Sequence, residues 1–306
     1  MDYNEFYFSK EIANSILLEG EDDFLVTSAI KKIKNAFNIE DLDISKFSGQ
    51  DSVASISTSL DTIPFLSQKR LVIISEFYPK AKEIPNLKVG EDTILLICNK
   101  SKNDALKKIV SLVVDTNKSE SFVKNYLNSL FKKEGKKIGE NSLNLLIDYC
   151  SCDAYKCVTE SKKLISYCKD KDLVEIDDIT AVVTPDFEYK IYELTEYIAT
   201  KKSQKAYSIL QDMLNKNEPS HKLFISIYNH FRRLFYCKLN SDSYELSTIL
   251  GIKEYAVKKA QSVANKFTAN ELKKINARFN EYDFMVKSGK MDVFNALWLG
   301  VFQITA

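Results

Sequence analysis

The stretch "ILLEGEDDFLVTSAIKKIK", residues 16–34, decides how the chain begins. A short apolar run, Ile16, Leu17 and Leu18, meets Gly20. Phe24, Leu25, Ala29, Ile30 and Ile33 then recur at helical spacing. Strand, glycine turn and helix in that order open an α/β domain of the nucleotide-binding kind. The chemistry of phosphate binding is missing from the turn. A phosphate loop needs converging backbone N–H groups from a glycine-rich turn, a lysine for the terminal phosphates and a Ser or Thr for magnesium. This turn offers one glycine, followed by Glu21, Asp22 and Asp23. Carboxylates at a helix N-terminus suit the helix dipole and can cap it, and they repel a triphosphate.

Further apolar runs follow: "LVII" at 71–74, "ILLIC" at 94–98 and "LVVD" at 112–115. Continuous β-branched runs of this length are strands buried on both faces, as in a parallel sheet covered by helices. Helical patterns are expected between them, around 22–37, 51–60 and 101–109. From the polar "NKSES" at 117–121 onward, every pattern is helical. Helices are expected at about 120–134, stopping at Gly135, at 140–151, after Asp153, and in "EIDDITAVV", with Pro185 closing that unit. Six more follow at 188–200, 203–215, 220–238, 253–265, 269–286 and 291–303. The expectation is an α/β domain over 1–117, a small helical domain over 118–186 and an all-α domain over 187–306.

Composition bounds the function. The chain of 306 residues can hold two or three cores, and only 8 Gly and 5 Pro leave little for flexible linkers. No apolar run reaches the roughly 18 residues of a membrane span, and no signal-peptide pattern opens the chain. A soluble, cytoplasmic protein is expected. Charge is uneven: residues 1–117 carry a net −4, 118–186 a net −1 and 187–306 a net +6. The last third alone is biased toward nucleic acid, and mildly.

Enzyme chemistry is hard to place. His221 and His230 stand nine residues apart on one expected helix and face opposite sides. Arg70 is the one arginine before residue 232, and "LVIISE" supplies only Glu76 where a magnesium-holding acidic pair would sit, so the parts of phosphoryl transfer are not assembled. Cys150, Cys152, Cys157 and Cys168 lack the paired C-x2-C spacing of a zinc site, and Cys150, Cys157 and Cys168 fit the apolar faces of two helices.

One segment stands out. In "LDTIPFLSQKRLVII", residues 60–74, Ile63, Pro64, Phe65 and Leu66 fall in an expected loop before a strand. Pro64 blocks helix continuation. Either Phe65 folds back into its own core, or the segment projects as an anchor for a partner's apolar pocket.

With this segment, the chain resembles the delta subunit of the bacterial DNA polymerase III clamp loader. The likeness rests on "LLEGEDDFLVTSAIKKIK", "DTIPFLSQKRLVII" and "ILLICNKSKN". It continues through "LFKKEGKKIGENSLNLLIDYCSCDAYKCVTESKKLISY", "YELTEYIATKKSQKAYSILQDMLNKNEPSHKLFISIYNHFRRLF" and "DFMVKSGK". The resemblance implies an AAA+-like domain without a phosphate loop, a helical lid and a helical collar. It implies a non-catalytic subunit, with no cofactor or metal, that binds the sliding clamp and helps hold its ring open. Its implied partners are the gamma or tau and delta-prime subunits, the clamp, and primed DNA within the complex. The family's hydrophobic pair is a bulky aliphatic residue followed by Phe. Proline stands at 64 here, so the resemblance leaves Pro64–Phe65 and Phe65–Leu66 both open, with Ile63 beside them. "HFRRLFYCK" and "KSGK" mix cations with aromatics, making Arg232, Arg233, Lys287 and Lys290 the candidate DNA-facing residues. A free-standing nucleic-acid-binding helical protein and a divergent AAA+ NTPase are the alternatives.

Overall fold

The computed structural model describes residues 1–20, 22–79, 87–116 and 120–305. Glu21 and the expected boundary at 117–119 lie outside the described residues. The chain forms two compact units, Met1–Ser129 and Leu130–Ala306.

The first unit is built on a parallel sheet of β1 (Ser15–Glu19), β2 (Ile44–Ser48), β3 (Arg70–Ser75), β4 (Thr93–Asn99) and β5 (Leu112–Asp115), in the order β2-β3-β4-β1-β5. β1 and β4 are buried along their whole length, which is why their sequences are apolar without alternation. Leu17, Val72, Ile74, Leu95 and Ile97 share one core with Ile56 and Leu60 of helix α3 (Val53–Leu60). On other elements of the unit, α1 (Tyr3–Phe8), α2 (Asp23–Phe37) and the start of α4 (Glu120–Lys133) share an aromatic cluster. There the Phe122 ring lies edge-on to Tyr3 at 4.8 Å and Tyr7 at 5.0 Å.

Two elements of this unit escape the sequence pattern. β2 is an edge strand, half exposed, and α1 is only six residues long, so neither carries enough periodicity. The helix expected at 101–109 is reduced to a single 3-10 turn, Leu106–Lys108. Asn103 caps this turn, its side-chain oxygen accepting the N–H groups of Ala105 at 3.0 Å and Leu106 at 3.1 Å as a helix N-cap does, but the chain passes into β5 at Leu112 before a longer helix forms. Gly49, after β2, is required by close approach: a Cβ there would lie 1.8 Å from the backbone oxygen of Glu76.

The second unit is helical apart from a two-residue parallel pair, β6 (Lys137–Ile138) with β7 (Leu173–Val174). α4 ends where expected, and Gly135 takes the left-handed conformation (φ 70°) while the Lys136 N–H reaches back to Phe131 O at 2.8 Å. α5 (Glu140–Tyr149), α6 (Ala154–Tyr167) and α7 (Ile176–Val182) pack together. Beyond them come α8 (Phe187–Ala199), α9 (Ser203–Asn215), α10 (Ser220–Leu239), α11 (Ser243–Leu250), α12 (Glu254–Ala264), α13 (Ala269–Lys287) and α14 (Val293–Thr305). The six helices expected here are present, and α11 is additional. Local signals define it: Asp242 caps it through the N–H of Tyr244 and Glu245, and Gly251 ends it in the left-handed conformation. The long α10 lies at the centre, with Phe224, Ile227, Phe231 and Leu234 buried against α8, α12, α13 and α14.

Candidate functional site

Residues 61–69 form no helix or strand. α3 closes with Asp61, and the Thr62 hydroxyl donates to Thr58 O at 2.8 Å. Beyond it the apolar tip points to solvent: Ile63 is 78% exposed, Phe65 80% and Leu66 58%. Pro64 is half-buried. Phe65 therefore does not fold back into its own core.

The backbone under the tip is held by a residue that the sequence pattern did not single out. Asp43, in the 3-10 turn Asp41–Asp43 before β2, is fully buried (0% exposed). Its Oδ1 accepts the Phe65 N–H at 2.6 Å, and its Oδ2 accepts those of Leu66 at 2.8 Å and Ser67 at 2.7 Å. The Phe65 N–H, joined by those of Leu66 and Ser67 and by the Ser67 hydroxyl, outweighs burial and holds this carboxyl at about 2, below the usual carboxylate range. The Ser67 Oγ also accepts the N–H of Glu40 at 2.8 Å. Further along, the Lys69 ammonium donates to Asn14 Oδ1 at 2.8 Å and Glu91 O at 3.0 Å, and Arg70 donates to Ser45 Oγ at 2.7 Å. The base of the loop is polar and fastened; its tip is apolar and free. Leu42, next to Asp43 in the chain, is exposed as well.

The turn after β1 is filled by the chain's own polar groups. The Gly20 N–H donates to Asn99 O at 2.9 Å, and Asp22 caps α2 through the Phe24 N–H at 3.0 Å. Glu19 is buried; its Oε1 accepts the Asn103 N–H at 2.8 Å, and Lys107 lies 3.5 Å from its other oxygen. Carboxylates stand where a phosphate loop presents donors and a lysine.

The four candidate cations lie in different surroundings. Arg233 on α10 is mostly buried, donates to the Tyr192 hydroxyl at 3.0 Å and lies 3.8 Å from Glu188. It lines a cavity of about 670 Å³ with Tyr189, Tyr192, Tyr197 and Tyr255. Arg232 is exposed beside the Tyr228 ring. Lys287, exposed, pairs with Asp283 at 2.6 Å, and Lys290 lies over the Phe284 ring at 5.9 Å. His221 is exposed and His230 buried, on opposite sides of α10 as their spacing requires. Neither ring nitrogen of His230 has a hydrogen-bond partner among the described residues. Burial, aided by Arg233, pushes it down to about 3. All six cysteines are buried thiols.

Comparison with known proteins agrees with this architecture. The family model "DNA polymerase III, delta subunit" matches residues 17–126, which include the sheet and the apolar loop. The model "DNA polymerase III delta subunit, C-terminal domain" matches residues 188–304, the helices around α10. The Bacillus subtilis DNA polymerase III subunit delta is 24% identical over 317 residues, covering 94% of this chain and 91% of that protein. In fold, the chain is similar to the Bacillus subtilis DNA clamp loader delta protein, with a TM-score of 0.73 at 21% identity over 99% of this chain and 98% of the other. With two family regions matched in chain order and a relative aligned along nearly the whole length, the chain belongs to the DNA polymerase III delta subunit family.

Proposed function

We propose that this protein binds the sliding clamp through the loop at 63–66 and holds the clamp's ring open for loading onto primed DNA, without hydrolysing ATP itself. The observation that carries this reading is the tip of Ile63, Phe65 and Leu66, exposed to water on a loop whose base is fixed by hydrogen bonds. Water-exposed apolar side chains on a fixed backbone are what a partner's apolar pocket recognises. Burying one Phe and one Leu contributes about 3–6 kcal/mol before the costs of association. Phe65 is the main anchor, with Leu66 rather than the half-buried Pro64 as its neighbour in the pocket.

Ring opening requires no reaction in this subunit. A protein that binds the open clamp more tightly than the closed one shifts the equilibrium by that difference in affinity. The acidic turn after β1 suits a subunit that leaves ATP to others. In this reading residues 1–117 meet the clamp, 118–186 form the lid, and 187–306 form a collar that assembles with gamma or tau and delta-prime subunits in the cytoplasm. Arg232, Lys287 and Lys290 are the exposed cations that can approach primed DNA, whereas Arg233 is engaged with Tyr192.

The test is binding to the sliding clamp of the same organism, with wild type beside Phe65→Ala, Leu66→Ala and Pro64→Ala. Binding by wild type that is lost in a folded Phe65→Ala supports the reading. A folded wild-type protein with no affinity for the clamp overturns it.

A further inference from the structure

The side chains of the loop offer a binding surface, but no helix or sheet fixes its backbone. Three successive N–H groups, at Phe65, Leu66 and Ser67, all converge on one carboxylate, although that carboxylate lies more than 20 residues earlier in the chain. Successive N–H groups turned toward one anion make a concave nest. Here the nest is filled by the protein's own Asp43, and the side chains at 65 and 66 are left facing away from it, in water. We propose that Asp43 is the positioning residue of the clamp-binding loop: its carboxylate fixes the backbone of Phe65, Leu66 and Ser67 so that the apolar tip is displayed before the clamp arrives. The inference rests on the clamp-binding reading of that loop.

The physical need is specific. An unfastened loop bearing Ile63, Phe65 and Leu66 lowers its free energy by collapsing onto its own surface, and it must be reordered at each encounter. A buried carboxylate that accepts three N–H groups removes that reordering from the binding step. Ser67 adds a second tie, accepting from Glu40 and donating to Asp43, so the loop is clipped to the segment 40–43 at two points. The two oxygens of Asp43 both accept. An asparagine cannot reproduce this, because its amide nitrogen must face one of the N–H donors.

The experiment compares wild type, Asp43→Asn, Phe65→Ala and the double variant, all full length. Association and dissociation with the sliding clamp are followed by surface plasmon resonance, and a thermal melt is recorded for each protein. Clamp concentration is raised until the Phe65→Ala arm saturates. Asp43→Asn is expected to weaken binding by about tenfold, chiefly through faster dissociation. The double variant is expected to lose clearly less than the product of the two single losses, because much of Asp43's effect passes through the displayed Phe65. Wild-type affinity in a folded Asp43→Asn, or losses that simply multiply in the double variant, overturns the positioning role and leaves clamp binding standing. A wild type that does not bind, or a Phe65→Ala that binds as well as wild type, overturns the clamp-binding reading itself. If Asp43→Asn does not fold, amide hydrogen exchange on the wild type still decides. Protected amides at 65–67 beneath exposed side chains are expected, and exchange there at the rate of an open chain overturns the proposal.

Discussion

At the residue scale, exposure separates binding from stability. Phe65 meets water over most of its surface, so little of the fold depends on it. Phe65→Ala is expected to leave the melting temperature within a degree or two. The same change is expected to weaken clamp binding by about 30-fold or more, the loss typical of an anchor residue. Titration against the clamp beside a melt checks both. His230 is the opposite case, buried and neutral. Its pKa falls from the ordinary 6.5 to about 3 in the fold, so the unfolded chain binds the proton first. Its contribution to stability is complete above pH 6.5 and declines as pH drops toward 3, by up to about 1.4 kcal/mol per pH unit. The groups facing it are Arg233 on its own helix, which adds to the shift, and the Tyr192 ring at 4.6 Å on α8. Urea unfolding between pH 7 and 5 is expected to show that slope, and His230→Leu is expected to flatten it.

At the element scale, caps and close approaches set stability. Asp22 begins α2 by accepting the Phe24 N–H, and Asp22→Ala is expected to cost about 0.5–2 kcal/mol in urea unfolding. ATP added to either protein is expected to leave the midpoint unchanged, because the residue caps a helix and holds no phosphate. Gly49 serves a different end. Its Gly49→Ala variant places a methyl group against the Glu76 carbonyl, and the strand ends must move apart. A loss of about 1–3 kcal/mol is expected, the usual cost of forcing volume into a packed site, and the same unfolding curves measure it.

At the scale of the whole molecule, charge is the property that acts. Residues 187–306 carry a net +6, a mild excess of positive charge. DNA binding by this subunit alone is expected to be weak and salt-dependent. Lys287→Ala and Lys290→Ala are each expected to reduce the slope of log K against log salt by about 0.7–0.9 if their ammonium groups meet phosphates. Arg233→Ala is expected to change stability instead, through Tyr192. Fluorescence anisotropy with a primed duplex over a salt series separates the two behaviours.

The sequence by itself determined whatever is written in local periodicity. Four of the five sheet strands were legible as continuous apolar runs: β1, β3 and β4 lie inside the sheet, where strands buried on both faces must be apolar, whereas β5 proved to be an edge strand with only Val114 buried. The helices after residue 120, α11 excepted, were legible because amphipathic spacing and caps are local properties. Four consecutive apolar residues, Ile63 to Leu66, in a loop were legible as an anomaly. The half-exposed edge strand β2 and the short α1 lacked that periodicity, and the turn capped by Asn103 looked helical because the same cap begins a short 3-10 turn and a full helix. Only the tertiary structure decided that Phe65 faces water, that Arg233 turns inward to Tyr192, and that Asp43 lies under the loop. Each of these depends on a contact between segments far apart in the chain, and no spacing along one segment encodes the position of another.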